Sequence, residues 1–289
     1  MVLYGTQVGS MKERSFSVVI TTYNRKKKLK AALSAILSQD YPKDKYEVIV
    51  SDDGSTDGTE EEVKSFMLKN KTNLFYIRNP HKGVVSAVNA GAKLASKEIL
   101  VLMLADDNIT ESNFLKECNE WFNKHPGIDV IAAMQKPKQE LVDSNIFAKY
   151  EWFMTQYYVN NGGVGPPFAL KREIFLGIGG LDKNIKYSED VNLCDKLTRK
   201  GYKITNTPII VTHNRGYTLK EFLKQTKARG IAGREYVGRM HFIVKFFGFP
   251  FIMLWYWYQF YKYGKVGAID MWIMHCAFNF MSSIYGIIG

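Results

Sequence analysis

Short apolar runs that alternate with helical patterns constrain the fold of this chain more than any other feature. Five such runs lie in the first half of the sequence: SFSVVITT (15–22), YEVIVSD (46–52), NLFYIR (73–78), EILVLML (98–104) and DVIAAMQ (129–135). Helical patterns separate them: 25–39, a helix that opens at Thr56 or Asp57, 84–96 and 111–125. Strands that are apolar throughout and alternate with helices indicate a parallel sheet covered on both faces. Ligands of such sheets bind at the carboxyl ends of the strands.

This rhythm changes after about residue 136. The later part predicts an aromatic-rich helix at 143–160, a glycine and proline loop leading into a strand and a short helix at 160–175, a helix at 188–200, an extended segment at 203–212 and a helix at 217–236. The chain of 289 residues is 46% apolar, which is enough for one large domain or two unequal ones. Its three cysteines are far apart and predict neither a disulfide framework nor a zinc site.

The C-terminal segment is unusually aromatic and lies beside a basic one. Residues 242–289 hold 16 of the 40 Phe, Trp and Tyr residues, and 246–261 and 271–289 carry no charge. Residues 214–245 hold eight Arg or Lys residues, part of a net charge of +11. This pairing favours a membrane surface over nucleic acid. The apolar helices could span the bilayer as a hairpin, lie in its interface, or pack against the rest of the protein or a second copy.

Acidic residues follow two of the predicted strands and begin one helix. They are Asp52 and Asp53, Asp106 and Asp107, and Glu189 with Asp190. Adjacent carboxylates such as 106–107 are hard oxygen ligands of the kind that Mg²⁺ and Mn²⁺ prefer. A carboxylate at a helix N-terminus is kept ionised and can accept a proton. Each position alone is equally typical of an ordinary turn or helix cap.

Taken together and in order, these motifs resemble those of a known family. They are VVITTYNR (18–25), YEVIVSDDGSTDGT (46–59), Gly83 with Asn89-Ala90-Gly91, LADDN (104–108), Gly179-Gly180-Leu181-Asp182 and Glu189-Asp190. Over roughly residues 16–215 the chain resembles the inverting glycosyltransferases of family 2. The resemblance implies an α/β fold of the Rossmann-like GT-A type, with a mostly parallel sheet and helices on both faces. The apolar C-terminal helices, associated with a membrane, would be added to it.

The resemblance also implies roles for the matching residues. Thr21, Tyr23 and Arg25 would lie near the nucleotide, and Asp52 or Asp53 would hold its base and ribose. Asp106 would bind Mn²⁺ or Mg²⁺ at the donor diphosphate, with Asp107 beside it and His213 as a further ligand. Asp190 would be the base that deprotonates the acceptor. Glu189 and Asn89 are secondary candidates.

The sequence departs from the family pattern at two places. Leu104 stands where the first acid of the DxD motif is usual, and Val88 replaces a frequent arginine. The chain also lacks the QxxRW motif of processive synthases, which predicts transfer of a single sugar.

These features predict four segments: a flexible or added N-terminus (1–14), a GT-A catalytic domain (15–215), a basic amphipathic helix (216–240) and hydrophobic membrane-associated helices (241–289). We expect a UDP- or GDP-sugar donor and a lipid-linked or glycan acceptor, such as a polyprenyl or dolichyl phosphate. The catalytic domain would face the cytoplasm, and the protein would bind no nucleic acid. The sequence leaves open whether it forms a homo-oligomer. The alternative is a non-catalytic module that binds nucleotide-sugars on the same fold.

Overall fold

The computed structural model describes residues 12–70, 73–104, 108–160, 162–185, 189–247, 254, 258 and 269–288. Its strands are β1 (Phe16–Thr22), β2 (Tyr46–Asp52), β3 (Leu74–Arg78), β4 (Ile99–Leu102), β5 (Asn108–Thr110), β6 (Val130–Lys136), β7 (Phe168–Lys171) and β8 (Ile204–His213). Its helices are α1 (Lys26–Leu37), α2 (Thr59–Asn70), α3 (Val84–Leu94), α4 (Phe114–Lys124), α5 (Gln139–Ser144), α6 (Ile146–Asn160), α7 (Arg172–Gly177), α8 (Glu189–Arg199), α9 (Leu219–Phe247) and α10 (Ile269–Ile288).

The strands form one sheet in the order β3-β2-β1-β4-β7-β6-β8-β5. Strand β1 pairs in parallel with β2 and β4, and β2 pairs in parallel with β3, as the alternation of strands and helices predicts. The pairs β4–β7, β6–β7 and β5–β8 are antiparallel. The prediction of a mostly parallel sheet is therefore wrong for the part of the sheet formed by β4 to β8. The sheet as a whole is mixed. Strands as short as β5 and β7 carry no periodicity that would reveal the direction in which they run.

Both faces of the sheet are covered, which explains why its central strands are rich in apolar residues. All seven residues of β1 and all seven of β2 are buried. Val18 and Ile20 pack on one side with the apolar face of α1, whereas Val19 packs on the other side with α3. Gly91 allows α3 to lie close, because a Cβ there would be 2.6 Å from a methyl group of Val19. The predicted helices on both faces are thus confirmed.

The parallel pairing brings several strand ends to one edge of the sheet. Thr22 at the end of β1 is paired with Asp52 at the end of β2, which is paired with Arg78 at the end of β3. The loops that follow these three strands consequently begin side by side. This edge carries Thr21, Tyr23, Arg25, Asp52 and Asp53, five of the residues singled out in the sequence.

The chain forms two compact units, the first made of residues 1–135, 163–183 and 190–214 and the second of 136–162, 184–189 and 215–289. The second unit contains α5, α6, α9 and α10. Gly230 lets α9 pack closely on α10, since a Cβ at that position would lie 2.6 Å from the carbonyl oxygen of Ser282. The four segments inferred from the sequence stay a prediction, and residues 1–11 lie outside the described residues.

A buried polar contact joins α6 to α10 within the second unit. Tyr150 Oη lies 3.0 Å from His275 Nδ1, and Asn279 Nδ2 lies 3.0 Å from His275 Nε2. Other residues of α10, including Ile273 and Ile288, are exposed. In the part of the chain that is described, no helix is both long and apolar enough to cross a membrane. Most of the apolar stretch 246–261 lies outside the described residues.

Candidate nucleotide-binding site

The loops after β1 and β2 are joined into one structure by backbone and side-chain hydrogen bonds. The Asn24 N–H donates to Ser55 Oγ (2.8 Å), and the Thr56 N–H donates back to Asn24 Oδ1 (2.8 Å). The Lys26 N–H donates to Asp57 Oδ2 (2.9 Å). The sequence favours these turns, because Asp, Ser and Thr side chains readily accept hydrogen bonds from nearby backbone N–H groups. The TYNR and DDGSTDGT motifs therefore form a single surface.

Asp57 holds this junction as an ionised carboxylate. Burial alone would raise the pKa of Asp57, but hydrogen bonds from the Thr59 hydroxyl and the Lys26 N–H outweigh it and lower the pKa below its usual value. A carboxyl group with a lowered pKa stabilises the folded state above its unfolded pKa. That contribution is lost as the pH falls through the folded-state pKa, so it is fully present at neutral pH.

Asp52 is completely buried and has donors on both carboxylate oxygens. Its Oδ1 accepts hydrogen bonds from the N–H (2.9 Å) and the hydroxyl (2.6 Å) of Ser55. Its Oδ2 accepts a hydrogen bond from the Tyr76 hydroxyl (2.7 Å) on β3. Burial and this bond to a carboxylate raise the pKa of Tyr76, which keeps the phenol protonated and donating. Asp52 thus fixes the loop after β2 against β3.

Asp53 anchors the loop that precedes α3. Its Oδ1 accepts from the Lys82 N–H (2.9 Å), and its Oδ2 accepts from the Gly83 N–H (2.9 Å). His81 Nδ1 lies 3.0 Å from Oδ2 and 2.9 Å from the Asp53 carbonyl oxygen. Both oxygens are acceptors, so Nδ1 carries a proton and donates it. Asp53 consequently sets the position at which α3 begins.

His81 is a site residue that the sequence analysis did not single out. Its ring stacks on Tyr23, with centroids 4.1 Å apart and planes inclined by 21°. Tyr23 is 42% exposed, so the pair presents an aromatic surface beside Asp53. The sequence offered one indication of this role, because His81 lies in the loop between the predicted strand 73–78 and the predicted helix 84–96. An exposed aromatic pair of this kind can accommodate another planar ring.

The other residues predicted near the nucleotide lie at the same edge. Thr21 is buried near the end of β1 and is paired with Ser51 of β2. Arg25 is exposed and immediately precedes α1. The structure therefore brings together Thr21, Tyr23, Arg25, Asp52 and Asp53, and their role in binding a nucleotide stays a prediction. The two aspartates, however, are engaged with the protein itself.

The predicted metal ligands Asp106 and Asp107 lie outside the described residues. Contacts with other parts of the protein hold the residue that follows them. Asn108 donates from Nδ2 to the Met103 carbonyl oxygen (2.8 Å) and is paired directly with His213 in the β5–β8 ladder. His213 is buried and stands opposite the residue that follows Asp107. In the described part of the chain, no group of three or more His, Cys, Asp or Glu side chains could hold a metal.

Asp190 and Glu189 occupy the first turn of α8. Asp190 Oδ1 accepts a hydrogen bond from the Val191 N–H (2.9 Å), as carboxylates at helix N-termini commonly do. Burial, and next the charge of Asp190, raise the pKa of Cys194 to about 12. The thiol is therefore protonated at neutral pH.

Asn89 makes its hydrogen bonds with the protein backbone. Its side-chain amide pairs with the backbone N–H and carbonyl of Leu181, both at 2.9 Å. It therefore serves the loop that contains Gly179-Gly180-Leu181.

Comparison with known proteins identifies the family. A family model described as glycosyl transferase family 2 matches residues 17–175, which is more than half of the 289-residue chain. The chain belongs to glycosyl transferase family 2 and is a glycosyltransferase. This class agrees with an edge of the sheet at which polar loops after parallel strands converge.

The individual relatives share limited sequence identity with this chain or match only a short part of it. The chain is 25% identical over 260 residues to a dolichyl N-acetyl-alpha-D-glucosaminyl phosphate 3-beta-D-2,3-diacetamido-2,3-dideoxy-beta-D-glucuronosyltransferase of Methanococcus voltae, covering 82% of this chain and 79% of that protein. It is 38% identical to glycosyltransferase AglE of Haloferax volcanii over 90 residues, which span only 31% of this chain and 30% of AglE.

A solved structure shows the fold. The mannosyltransferase PcManGT from Pyrobaculum calidifontis, in complex with GDP-Man and Mn²⁺, superposes with a TM-score of 0.70 at 16% identity. The match covers 96% of this chain and 88% of PcManGT. The fold is therefore that of this glycosyltransferase, the GT-A arrangement that the motifs predict.

The contacts of Asp53 predict a structural effect that needs no nucleotide. Asp53→Asn replaces one acceptor oxygen by an N–H₂ group that faces a backbone N–H, so a donor of the loop 81–83 loses its partner. We expect the free energy of unfolding to fall by about 1–3 kcal/mol, measured by urea denaturation without ligand. Asp40→Asn, at an exposed aspartate, should change it by less than about 0.5 kcal/mol. An Asp53→Asn protein as stable as the wild type would show that the carboxylate does not hold this loop.

Proposed function

We propose that the protein transfers a single sugar from a nucleotide-sugar to an acceptor hydroxyl or phosphate, with inversion at the anomeric carbon. The observation that carries this proposal is the joined set of loops at the ends of β1, β2 and β3. These loops hold a buried carboxylate, an exposed aromatic pair and the start of a helix within one surface. Membership of a glycosyltransferase family favours catalysis over the alternative of a binding module.

The nucleotide would lie on this surface. Its base would stack on the aromatic pair of Tyr23 and His81, with Thr21 and Arg25 nearby. Asp52 and Asp53 would act mainly by fixing the loops that meet the base and ribose, since their oxygens already have donors. The GDP-Man bound to PcManGT supports a nucleoside diphosphate sugar of the GDP or UDP type.

A divalent cation, Mn²⁺ or Mg²⁺, would bind at Asp106, with Asp107 beside it and His213 from the neighbouring strand. The support is the pairing of His213 with Asn108, the residue that follows Asp107 in the sequence. The cation would neutralise charge on the departing nucleoside diphosphate. The chain itself supplies the carboxylates and the imidazole, and Leu104 cannot be a ligand.

Asp190 would accept the proton of the acceptor, with Glu189 as the next candidate. It lies in the first turn of α8, where the helix dipole interacts favourably with a carboxylate. A single displacement by an acceptor that a carboxylate deprotonates inverts the anomeric centre. Most of the rate acceleration would come from positioning and from electrostatics.

The acceptor would be carried on a lipid, and the protein would associate with the cytoplasmic face of a membrane. Two observations support this. The Methanococcus voltae relative is named for a dolichyl phosphate sugar. The C-terminal helices combine exposed apolar side chains, such as Met240 and Phe247, with eight basic residues between 214 and 245. Such a surface suits anionic lipid headgroups. The competing proposal is that the same helices pack against a second copy of the protein in a homo-oligomer.

The metal proposal is tested at Asp106. Asp106→Ala should abolish Mn²⁺-dependent binding of UDP and GDP because a ligand of the cation is lost, while the circular dichroism spectrum stays unchanged. Titration calorimetry with each nucleotide, with and without Mn²⁺, measures the effect. Asp44→Ala, at an exposed aspartate, is the control. Normal Mn²⁺-dependent binding by Asp106→Ala would place the metal elsewhere.

The base proposal is tested by a substitution of nearly the same shape. Asp190→Asn should keep donor and metal affinity but lose transfer by about two to four orders of magnitude, because the amide cannot take up the proton. Glu189→Gln is the matched variant, and retained transfer by Asp190→Asn would move the role to Glu189. The assay screens UDP-, GDP- and dTDP-sugars. The product's proton coupling constant reports its anomeric configuration, and retention would exclude this mechanism.

The membrane proposal is tested on liposomes of phosphatidylglycerol and phosphatidylcholine. Truncation after Arg239 should release the protein and lower transfer to lipid acceptors while nucleotide binding survives. Truncation also removes α10, the partner of α9. The sharper variant is therefore Ile273→Ser combined with Ile288→Ser, whose side chains are exposed. Sedimentation should show weaker binding for it than for Leu68→Ser, at an exposed leucine of α2. Equal binding of both, or none by the wild type at low salt, would refute the proposal.

A further inference from the structure

We propose that Asn89 is a positioning residue, which fixes the start of α8, and with it Asp190, relative to the donor-binding edge. The inference rests on the proposed function, in which Asp190 is the base. Asn89 lies in the middle of α3 and is more than ninety residues from the loop that it binds.

The first contact is a complete pairing of the Asn89 amide with one peptide unit. Its Nδ2 donates to the Leu181 carbonyl oxygen (2.9 Å), and its Oδ1 accepts from the Leu181 N–H (2.9 Å). Both polar groups of the side chain are used, as is required of an amide that is largely removed from water. This pairing fixes both the position and the direction of the chain at Leu181.

Gly180 is shaped to fit this pairing. Its φ is +67°, and a Cβ there would lie 2.4 Å from Asn89 Oδ1. Gly179 before it also has a positive φ, of +77°. Side chains at either position would be strained, and at 180 a side chain would in addition displace the amide. The loop is therefore built to bring its backbone against Asn89.

The same loop is held from the other side by α8. Lys196 Nζ donates to the Gly180 carbonyl oxygen. The Asp182 N–H donates to Asn192 Oδ1 (3.4 Å). Asn192 and Lys196 both follow Asp190 on α8, by roughly half a turn and roughly one and a half turns. The segment 180–182 is thus clamped between Asn89 of α3 and the helix that begins with the proposed base.

The start of α3 is fixed to the nucleotide-binding edge. Asp53 accepts the N–H groups of Lys82 and Gly83, and Gly83 is the residue at which α3 is capped. Gly91 packs tightly against Val19 of β1. A helix held at its start and along its length transmits position rigidly over the few turns to Asn89. Contacts that lock a catalytic group matter because a misplacement of about 1 Å can cost a factor of about 100 in rate.

The decisive measurement separates positioning from folding and from donor binding. Asn89→Ala should remain folded, because alanine is the better helix former, and should bind UDP, GDP and Mn²⁺ within about twofold of the wild type. Its kcat for transfer should fall by about tenfold to a hundredfold. Amide hydrogen exchange at Leu181 should become faster. Lys93→Ala, one turn further along α3 at an exposed side chain, should leave all three quantities unchanged.

A double-mutant cycle tests whether the effect passes through this contact. Gly180→Ala alone should lower kcat because its Cβ meets Asn89 Oδ1, and adding Asn89→Ala removes that clash. The loss in the double variant should therefore be clearly smaller than the product of the two single losses. Independent, multiplying losses would overturn the inference, as would an unchanged kcat or a loss confined to donor affinity in Asn89→Ala. If the wild-type protein transfers no sugar from any donor, the proposed function itself fails instead.

Discussion

Two buried carboxylates at the end of β2 organise the edge of the sheet on which the rest of the site depends. Carboxylates are costly to bury unless donors surround them, and here the donors come from the loop after β2, from β3 and from the loop before α3. Ser55 and Tyr76 satisfy Asp52, while His81, Lys82 and Gly83 satisfy Asp53. Each bond therefore ties a loop to β2. The aromatic pair and the start of α3 take their positions from these bonds, and a nucleotide would meet a surface that is already assembled.

The backbone near this edge is strained at three residues other than glycine. In the described ranges, positive φ angles occur at Asn24 (51°), His81 (35°) and Leu104 (54°), which follow β1, β3 and β4. Each such conformation costs about 1–3 kcal/mol and persists only where neighbouring contacts hold it. Asn24 is held by Ser55 and Thr56, and His81 by Asp53. Strain at three strand ends of one edge is typical of a functional site.

Leu104 gives a physical meaning to a departure from the family motif. Its side chain is buried in the core on one face of the sheet, so the first position of the DxD motif contributes packing and not a ligand. Met103 before it is held by a hydrogen bond from its N–H to the Val19 carbonyl oxygen. Asn108 after the acidic segment returns to the Met103 carbonyl. This hydrogen bond joins the residues that precede and follow the acidic segment.

The sequence by itself determined the parallel half of the sheet, the helices on both of its faces and the edge at which the polar loops gather. These follow from local patterns, because apolar runs alternate with helical periods and parallel strands end together. It did not determine the direction of β5 and β7, since strands of three or four residues have no usable period. Nor did it reveal His81 or the role of Asn89.

Both of those residues are defined by partners far along the chain. His81 takes its place through Asp53 and Tyr23, and Asn89 through Leu181, more than ninety residues away. A motif shows that a residue type is present at a position, but a hydrogen bond between distant segments exists only once the sheet has brought them together. The sequence therefore set which polar groups reach the edge, and the tertiary structure alone decided which of them are engaged with distant parts of the protein.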